Sequence, residues 1–267
     1  MSKAIKKTDD SKIKTGPKEY KKPKPLEYFA SIDIEYGGHN LDDPLQAIGV
    51  CHGSIHERTL DMFAFPVDRK DIKNMDDFWS KFLDILAVIE KHAVEHPSIF
   101  QDFIIYWRQF DDYKYALVCD NPGFDTAMLD YHNHKRQTDI KSNGKTAIKT
   151  GPYEYAPIRY RQKITSNDKR EHYRMILNPV QLCYYHPRKT IIKKLAEKYA
   201  KHSHLPDEDA ERNFLMQALI EYISNNPKVT DKELDLILSK SKRTLTREVQ
   251  GHLFIKSGTS SQTSQTS

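Results

Sequence analysis

The sequence predicts an α/β fold, a mixed β-sheet flanked by helices, and two observations carry that reading. Three short apolar strands with tight links open the folded part: Tyr28–Glu35, Leu45–His52 and about Glu57–Phe65. Their succession reads as an antiparallel meander. Thereafter the apolar spacing switches between threes and fours and short continuous runs, so helices and strands alternate. A meander followed by alternation argues for a mixed sheet with helices on its faces.

Composition sets the bounds. At 267 residues, 38% hydrophobic and 30% charged, the chain holds one sizeable domain with polar appendages. Residues 1–26 are rich in Lys and Pro with almost no large apolar side chains, the composition of a disordered basic arm. The domain is expected over residues 27–256, and the Ser/Thr/Gln/Gly run at 257–267 reads as a disordered tail. No stretch approaches the roughly 18 consecutive apolar residues of a membrane span, and the N-terminus has no apolar signal region. Cys51, Cys119 and Cys183 each lie in or beside an apolar run, at spacings that match no zinc pattern. They read as buried reduced thiols, which implies a reducing, cytoplasmic setting. The K-K-P-K-P run at 21–25 leaves nuclear targeting open.

The net charge of +5 is unevenly spread. Residues 1–25 carry nine Lys against Asp9, Asp10 and Glu19, and residues 135–175 carry eleven Lys plus Arg against four acids. The remainder is acidic. An acidic body with two basic segments suits an anionic polymer held beside a cation-binding site. Within 135–178, a basic insertion, Tyr153, Tyr155, Tyr160 and Tyr173 interleave with Arg and Lys. That pattern suits base stacking on single-stranded nucleic acid, and it equally suits a polar surface hairpin.

Each element has a local reason. Met75, Phe78, Trp79, Phe82, Leu86 and Ile89 recur at helical spacing within 72–96, until Pro97 stops the run. A second helix is expected from Ile99 to about Phe110, with Phe103, Ile104 and Trp107 on one face. Tyr115–Cys119 reads as a buried strand broken by D-N-P-G, with a helix resuming over Phe124–Tyr131. Alternation in Tyr153–Arg161 and Tyr173–Leu177 predicts a hairpin, and Val180–Tyr185 predicts the last strand. Pro187 opens a helix through Ile191, Ile192, Leu195 and Tyr199. A strongly amphipathic helix carries Phe214, Leu215, Ala218, Leu219 and Tyr222, and a short one covers Asp231–Ser239.

The candidate chemistry begins on the first strand. Side chains at i and i+2 of a strand share a face, so Asp33 and Glu35 point together while Ala30, Ile32 and Ile34 pack behind them. Two like charges side by side repel, and a divalent cation between them would offset that cost. A solvated strand end is the alternative. Asp125 stands where a buried strand turns into a helix, as a ligand or as a helix cap. Asp209 opens the late amphipathic helix five residues after His204, as a ligand or as a complement to the helix dipole.

The ordered set is more specific than its members. A D-x-E on the first strand, Asn121-Pro-Gly-Phe-Asp125 at a strand-to-helix junction, and His204-x-x-x-x-Asp209-Ala210 follow one another in a single domain. Leu45-Gln46-Ala47-Ile48-Gly49 supplies an apolar-Gln-x-Ile-Gly strand. Together these resemble the DEDDh branch of the DEDD 3′–5′ exonucleases, over roughly residues 27–224. The resemblance implies a ribonuclease H-like mixed sheet with the basic insertion before its last strand. It implies Asp33, Glu35, Asp125 and Asp209 as ligands of two Mg²⁺ or Mn²⁺ ions, with Asp125 rather than Asp120 in the second motif. Asp33 would bridge both ions and His204 would be the general base. It also implies, more loosely, substrate contacts at Tyr36, Gly37 and Asn121. The activity implied is hydrolysis of DNA or RNA from a free 3′ end, single-stranded by preference, with a homodimer compatible. A non-catalytic nucleic-acid-binding module and an endonuclease on the same fold are the alternatives.

Overall fold

A computed structural model of the chain describes residues 25–246, apart from 39, 74, 76–78, 94–98, 112–113, 143–159, 163–171, 175 and 201–207. The expected basic arm up to residue 24, the tail and His204 therefore lie outside the described residues. The meander forms as expected, from β1 (Tyr28–Tyr36), β2 (Leu45–Gly53) and β3 (Glu57–Ala64). β1 pairs antiparallel with β2, placing Asp33 opposite Gly49 and Glu35 opposite Ala47 before the register shifts between Glu35 and Tyr36. Gly53 adopts φ +136°, and a Cβ there would lie 2.3 Å from the Glu57 carbonyl oxygen. The tight β2–β3 turn thus requires glycine. In the β1–β2 connection, a Cβ on Gly38 would fall 1.9 Å from Asp43 Oδ2, which caps the Asn40 N–H at 2.8 Å.

The long helix expected from Ile72 is a correction. Its α-helical part is only α1 (Leu83–His92), preceded by a 3-10 turn at Trp79–Lys81. The backbone groups ahead of it are drawn into the β1–β2 connection. Lys73 N–H donates to the Gly37 carbonyl at 2.8 Å, and the Trp79 indole donates to the Tyr36 carbonyl at 3.2 Å. The first of these takes a backbone donor away from a helical ladder, and the second tethers the segment by a side chain. α2 (Ile99–Trp107) follows and ends in a 3-10 turn at Arg108–Asp111.

β4 (Tyr115–Val118) runs parallel to β1, and α3 (Pro122–Ser142) leaves its end, longer than the apolar spacing implied. β5 (Tyr160–Gln162) and β6 (His172–Arg174) form a separate antiparallel pair, the described part of the expected hairpin.

The second correction is the last strand. Val180–Tyr185 lies in a helix, α4 (Pro179–Tyr185). Asn178 caps it, its Oδ1 accepting from Gln181 N–H at 2.9 Å, and Pro179 fills the first turn. Of the apolar run, Cys183 is buried, whereas Val180, Leu182, Tyr184 and Tyr185 are exposed. Among the described residues, pairing on the far side of β4 is one parallel bridge between Val118 and Leu177. α5 (Lys189–Ala200), α6 (Glu208–Asn225) and α7 (Asp231–Lys240) follow, then β7 (Lys242–Leu245), which no apolar pattern announced. β7 joins the main sheet parallel to β3, giving the order β4-β1-β2-β3-β7. The result is an α/β fold with a mixed five-stranded open sheet flanked by helices.

Strand parity sorts the core. Ala30, Ile32 and Ile34 belong to a cluster with Phe103, Trp107, Met128 and Leu129 from α2 and α3. Phe29, Cys51 and Leu60 belong to the other cluster, with Ile192, Phe214 and Leu219 from α5 and α6. A third group packs α1 through Leu86 and Ile89 onto Ala47, Met62 and Ala64. No helix of the described residues is long and apolar enough to cross a membrane.

Candidate active site

Three elements bring carboxylates to one end of the sheet. On β1, Asp33 and Glu35 continue the face of Phe29 and Ser31, and both are half-buried. Beside β1, the parallel partner β4 ends opposite Ser31, so Cys119 and Asp120 continue past it toward Asp33. α6 runs antiparallel to β1. Its Phe214 ring meets Phe29 at 6.2 Å, and Glu221 near its far end accepts from the Leu26 N–H at 3.2 Å. Its first turn, with Glu208 and Asp209, accordingly lies at the Asp33/Glu35 end.

Asp125 sits inside the first turn of α3 rather than at its cap. Its N–H donates to the Asn121 carbonyl at 3.0 Å, its side chain is buried, and its Oδ2 accepts the Cys119 thiol at 2.6 Å. Cys119, Asp120 and Asp125 offer ligand atoms within 4.8 Å of one another, the only such group among the described residues. Asp33, Glu35 and Asp209 complete no such group among the described residues, but Asp33 feels the charges of Glu35, Asp209, Asp120 and Asp125. Burial, then the charges of Glu35, Asp209, Asp120 and Asp125, hold the Asp33 carboxyl well above the usual carboxylate range. Burial and then Asp209 push Glu35 up to about 8. Burial pushes Asp125 up to about 7, with Asp120 adding to it and the Cys119 hydrogen bond opposing it. Burial, then Asp125, also raises the Cys119 thiol, so it remains a protonated donor and not a thiolate ligand.

The donor set fits a hard divalent cation. It is all carboxylate oxygen, and among the described residues the charges that act on Asp33, Glu35 and Asp125 are those of acids. Ser31 Oγ and the Asn213 side-chain amide are buried without hydrogen-bond partners among the described residues. Ser31 shares the Asp33 face of β1 and Asn213 follows Asp209 by one helical turn, so polar surface extends inward from the carboxylates, as a hydrated ion site needs. Asp209 meets Arg212 at 2.8 Å, a half-buried helix pair open enough to solvent to carry small energetic weight.

The looser substrate contacts fare differently. Tyr36 is half-buried against Phe124, ring centroids 4.8 Å apart. Burial, then Asp125, Glu35, Asp33 and Asp120, raises its phenol, which places it against the carboxylates. Gly37 is buried, and both its backbone groups are spent on the loop: N–H to the Pro44 carbonyl and C=O to Lys73 N–H, each at 2.8 Å. Asn121 is exposed, and its carbonyl starts α3. Asp120 and Cys119 are the residues that sequence reasoning left out of the cluster. Their only sequence signal was adjacency to the strand end.

Comparison of the chain with protein-family models, curated proteins and solved structures finds no match in any of the three.

Proposed function

We propose that this chain is a metal-dependent 3′–5′ exonuclease on a ribonuclease H-like fold, hydrolysing phosphodiester bonds of DNA or RNA from a free 3′ end. The convergence of Asp33, Glu35, Asp125 and Asp209 from three elements at one end of the sheet carries the reading. Asp125 and Asp209, 92 and 176 positions after Asp33 in the chain, would have no reason to raise its pKa unless the fold gathered them. Asp33, Glu35, Asp125 and Asp209 would hold Mg²⁺ or Mn²⁺, with Asp120 beside them. Two such ions, when bound, offset the charge developing on the attacking and leaving oxygens of a phosphodiester. The chain's own part is to orient those carboxylates. β1 presents two of them, α3 presents Asp125 with the Cys119 thiol beyond β4 donating to it, and α6 presents Asp209 from its first turn. Under this reading His204, just ahead of α6, takes the proton of the attacking water as general base.

The test uses 5′-labelled single-stranded DNA and RNA oligonucleotides with Mn²⁺, with Mg²⁺ and with EDTA. A ladder of 3′-shortened products is expected only with metal, and Asp33→Asn or Asp209→Asn is expected to abolish it while circular dichroism stays native. Wild-type degradation by those variants refutes the site. Cleavage of a circular single strand would instead make the chain an endonuclease.

A further inference from the structure

We infer that the cleft between α4 and the β4–α3 turn receives single-stranded nucleic acid, with bases stacked on Tyr184 and Tyr185 and phosphates met by Lys189 and Lys193. Only the identity of the strand as a hydrolysed substrate rests on the exonuclease reading.

Tyr184 is 61% exposed and Tyr185 77% exposed, on a helix that buries Pro179 and Cys183. Two large rings exposed side by side on an anchored helix, with Val180 and Leu182 also exposed on it, cluster in the way that marks interaction surfaces. The two rings stand nearly perpendicular, centroids 5.0 Å apart, and the Lys189 ammonium lies 5.0 Å from the Tyr184 centroid. A ring has two faces, and the ammonium covers one. The adjoining cleft, about 410 Å³, is lined by Asp120, Asn178, Gln181, Tyr184, Tyr185 and Lys193, among others. It is therefore continuous with the carboxylate cluster through Asp120.

Two bonds pin the platform to that cluster. Asn178 Nδ2 donates to the Asp120 carbonyl at 2.6 Å while its Oδ1 caps α4, and Cys119 N–H donates to the Leu177 carbonyl at 3.0 Å. The occupant follows from charge. Residues 179–196 contain Arg188, Lys189, Lys193 and Lys194 and no acid. Arg188 is engaged by the Val229 carbonyl at 2.7 Å and by Asp231, whereas Lys189 and Lys193 are exposed. Exposed aromatic rings beside ammonium groups match a strand that offers a π-face and a phosphate at every step.

The experiment measures fluorescence anisotropy of labelled dT12 and rU12 in EDTA, so that binding is read without turnover. Tyr184→Ala/Tyr185→Ala is expected to weaken binding by about ten- to a hundredfold, the range of one or two lost stacking contacts. Tyr184→Phe/Tyr185→Phe is expected to keep the wild-type value, since the rings remain, and Lys193→Glu to weaken binding and flatten its salt dependence. With Mn²⁺, the alanine pair is expected to raise KM for the oligonucleotide and leave kcat unchanged. Wild-type binding by the alanine pair overturns the inference even if the chain is an exonuclease. Lost binding in the alanine pair, with a wild-type chain that hydrolyses nothing, upholds the platform and sinks the exonuclease reading. If sedimentation shows a dimer that the alanine pair abolishes while oligonucleotide binding persists, the occupant is a second copy of the chain and the inference fails.

Discussion

Replacing Glu211 by alanine tests how α6 is held in register. Glu211 is fully buried and faces two guanidinium groups. Arg58 Nε on β3 donates to its Oε1 at 2.6 Å, and Arg243 on β7 donates through Nε at 3.0 Å and Nη2 at 3.0 Å. Arg58 is itself buried and also donates to Ser241 Oγ at 2.8 Å. Removing the carboxylate strands a buried cation, which costs about 3–5 kcal/mol. For a domain of this size that is a fall of about 6–20 °C in Tm. Thermal unfolding followed by far-ultraviolet circular dichroism measures it. Because Asp209 lies two residues before Glu211, the proposed hydrolysis is expected to fall more than the folded fraction does. Arg58→Met/Glu211→Leu, which removes the two buried charges and leaves only the partly exposed Arg243 unpaired, is expected to recover part of the loss, since apolar replacements of buried pairs are often neutral. An unchanged Tm for Glu211→Ala, or a double variant worse than the single, refutes the reasoning.

Three further outcomes are expected. Metal-free protein loses stability as pH rises from about 4.5 towards about 8. Glu35, pushed up to about 8, and Asp125, pushed up to about 7, bind protons more tightly folded than unfolded, and that advantage vanishes as they ionise. Denaturant midpoints across that window check it, and a midpoint that rises with pH contradicts it; Mn²⁺ is expected to restore the loss at the alkaline end. Asp33→Asn relieves repulsion from four carboxylates and is expected to stabilise the metal-free chain at pH 8 by about 0.5–2 kcal/mol while abolishing hydrolysis. Asn178→Ala removes both the α4 cap and the bond to Asp120 and is expected to cost about 0.5–2 kcal/mol, read as a lower denaturant midpoint.

The sequence alone determined whatever depends on strand parity and helical period. Asp33 and Glu35 share the face that Phe29 and Ser31 begin, because alternation is a local property of an extended chain. The meander and α5 to α7 were legible for the same reason. Tertiary structure decided the rest. Val-Gln-Leu-Cys-Tyr-Tyr suits strand or helix, and the Asn178 cap, with its bond to Asp120, settles it as a helix. β7 is a polar segment with only one half-buried residue, and what makes it a strand is pairing with β3 and the Arg243–Glu211 contact. Asp120 and Cys119 entered the carboxylate cluster because β4 pairs parallel to β1 and stops level with Ser31. Such pairing joins residues far apart along the chain, and its energy comes from partners that no local pattern contains.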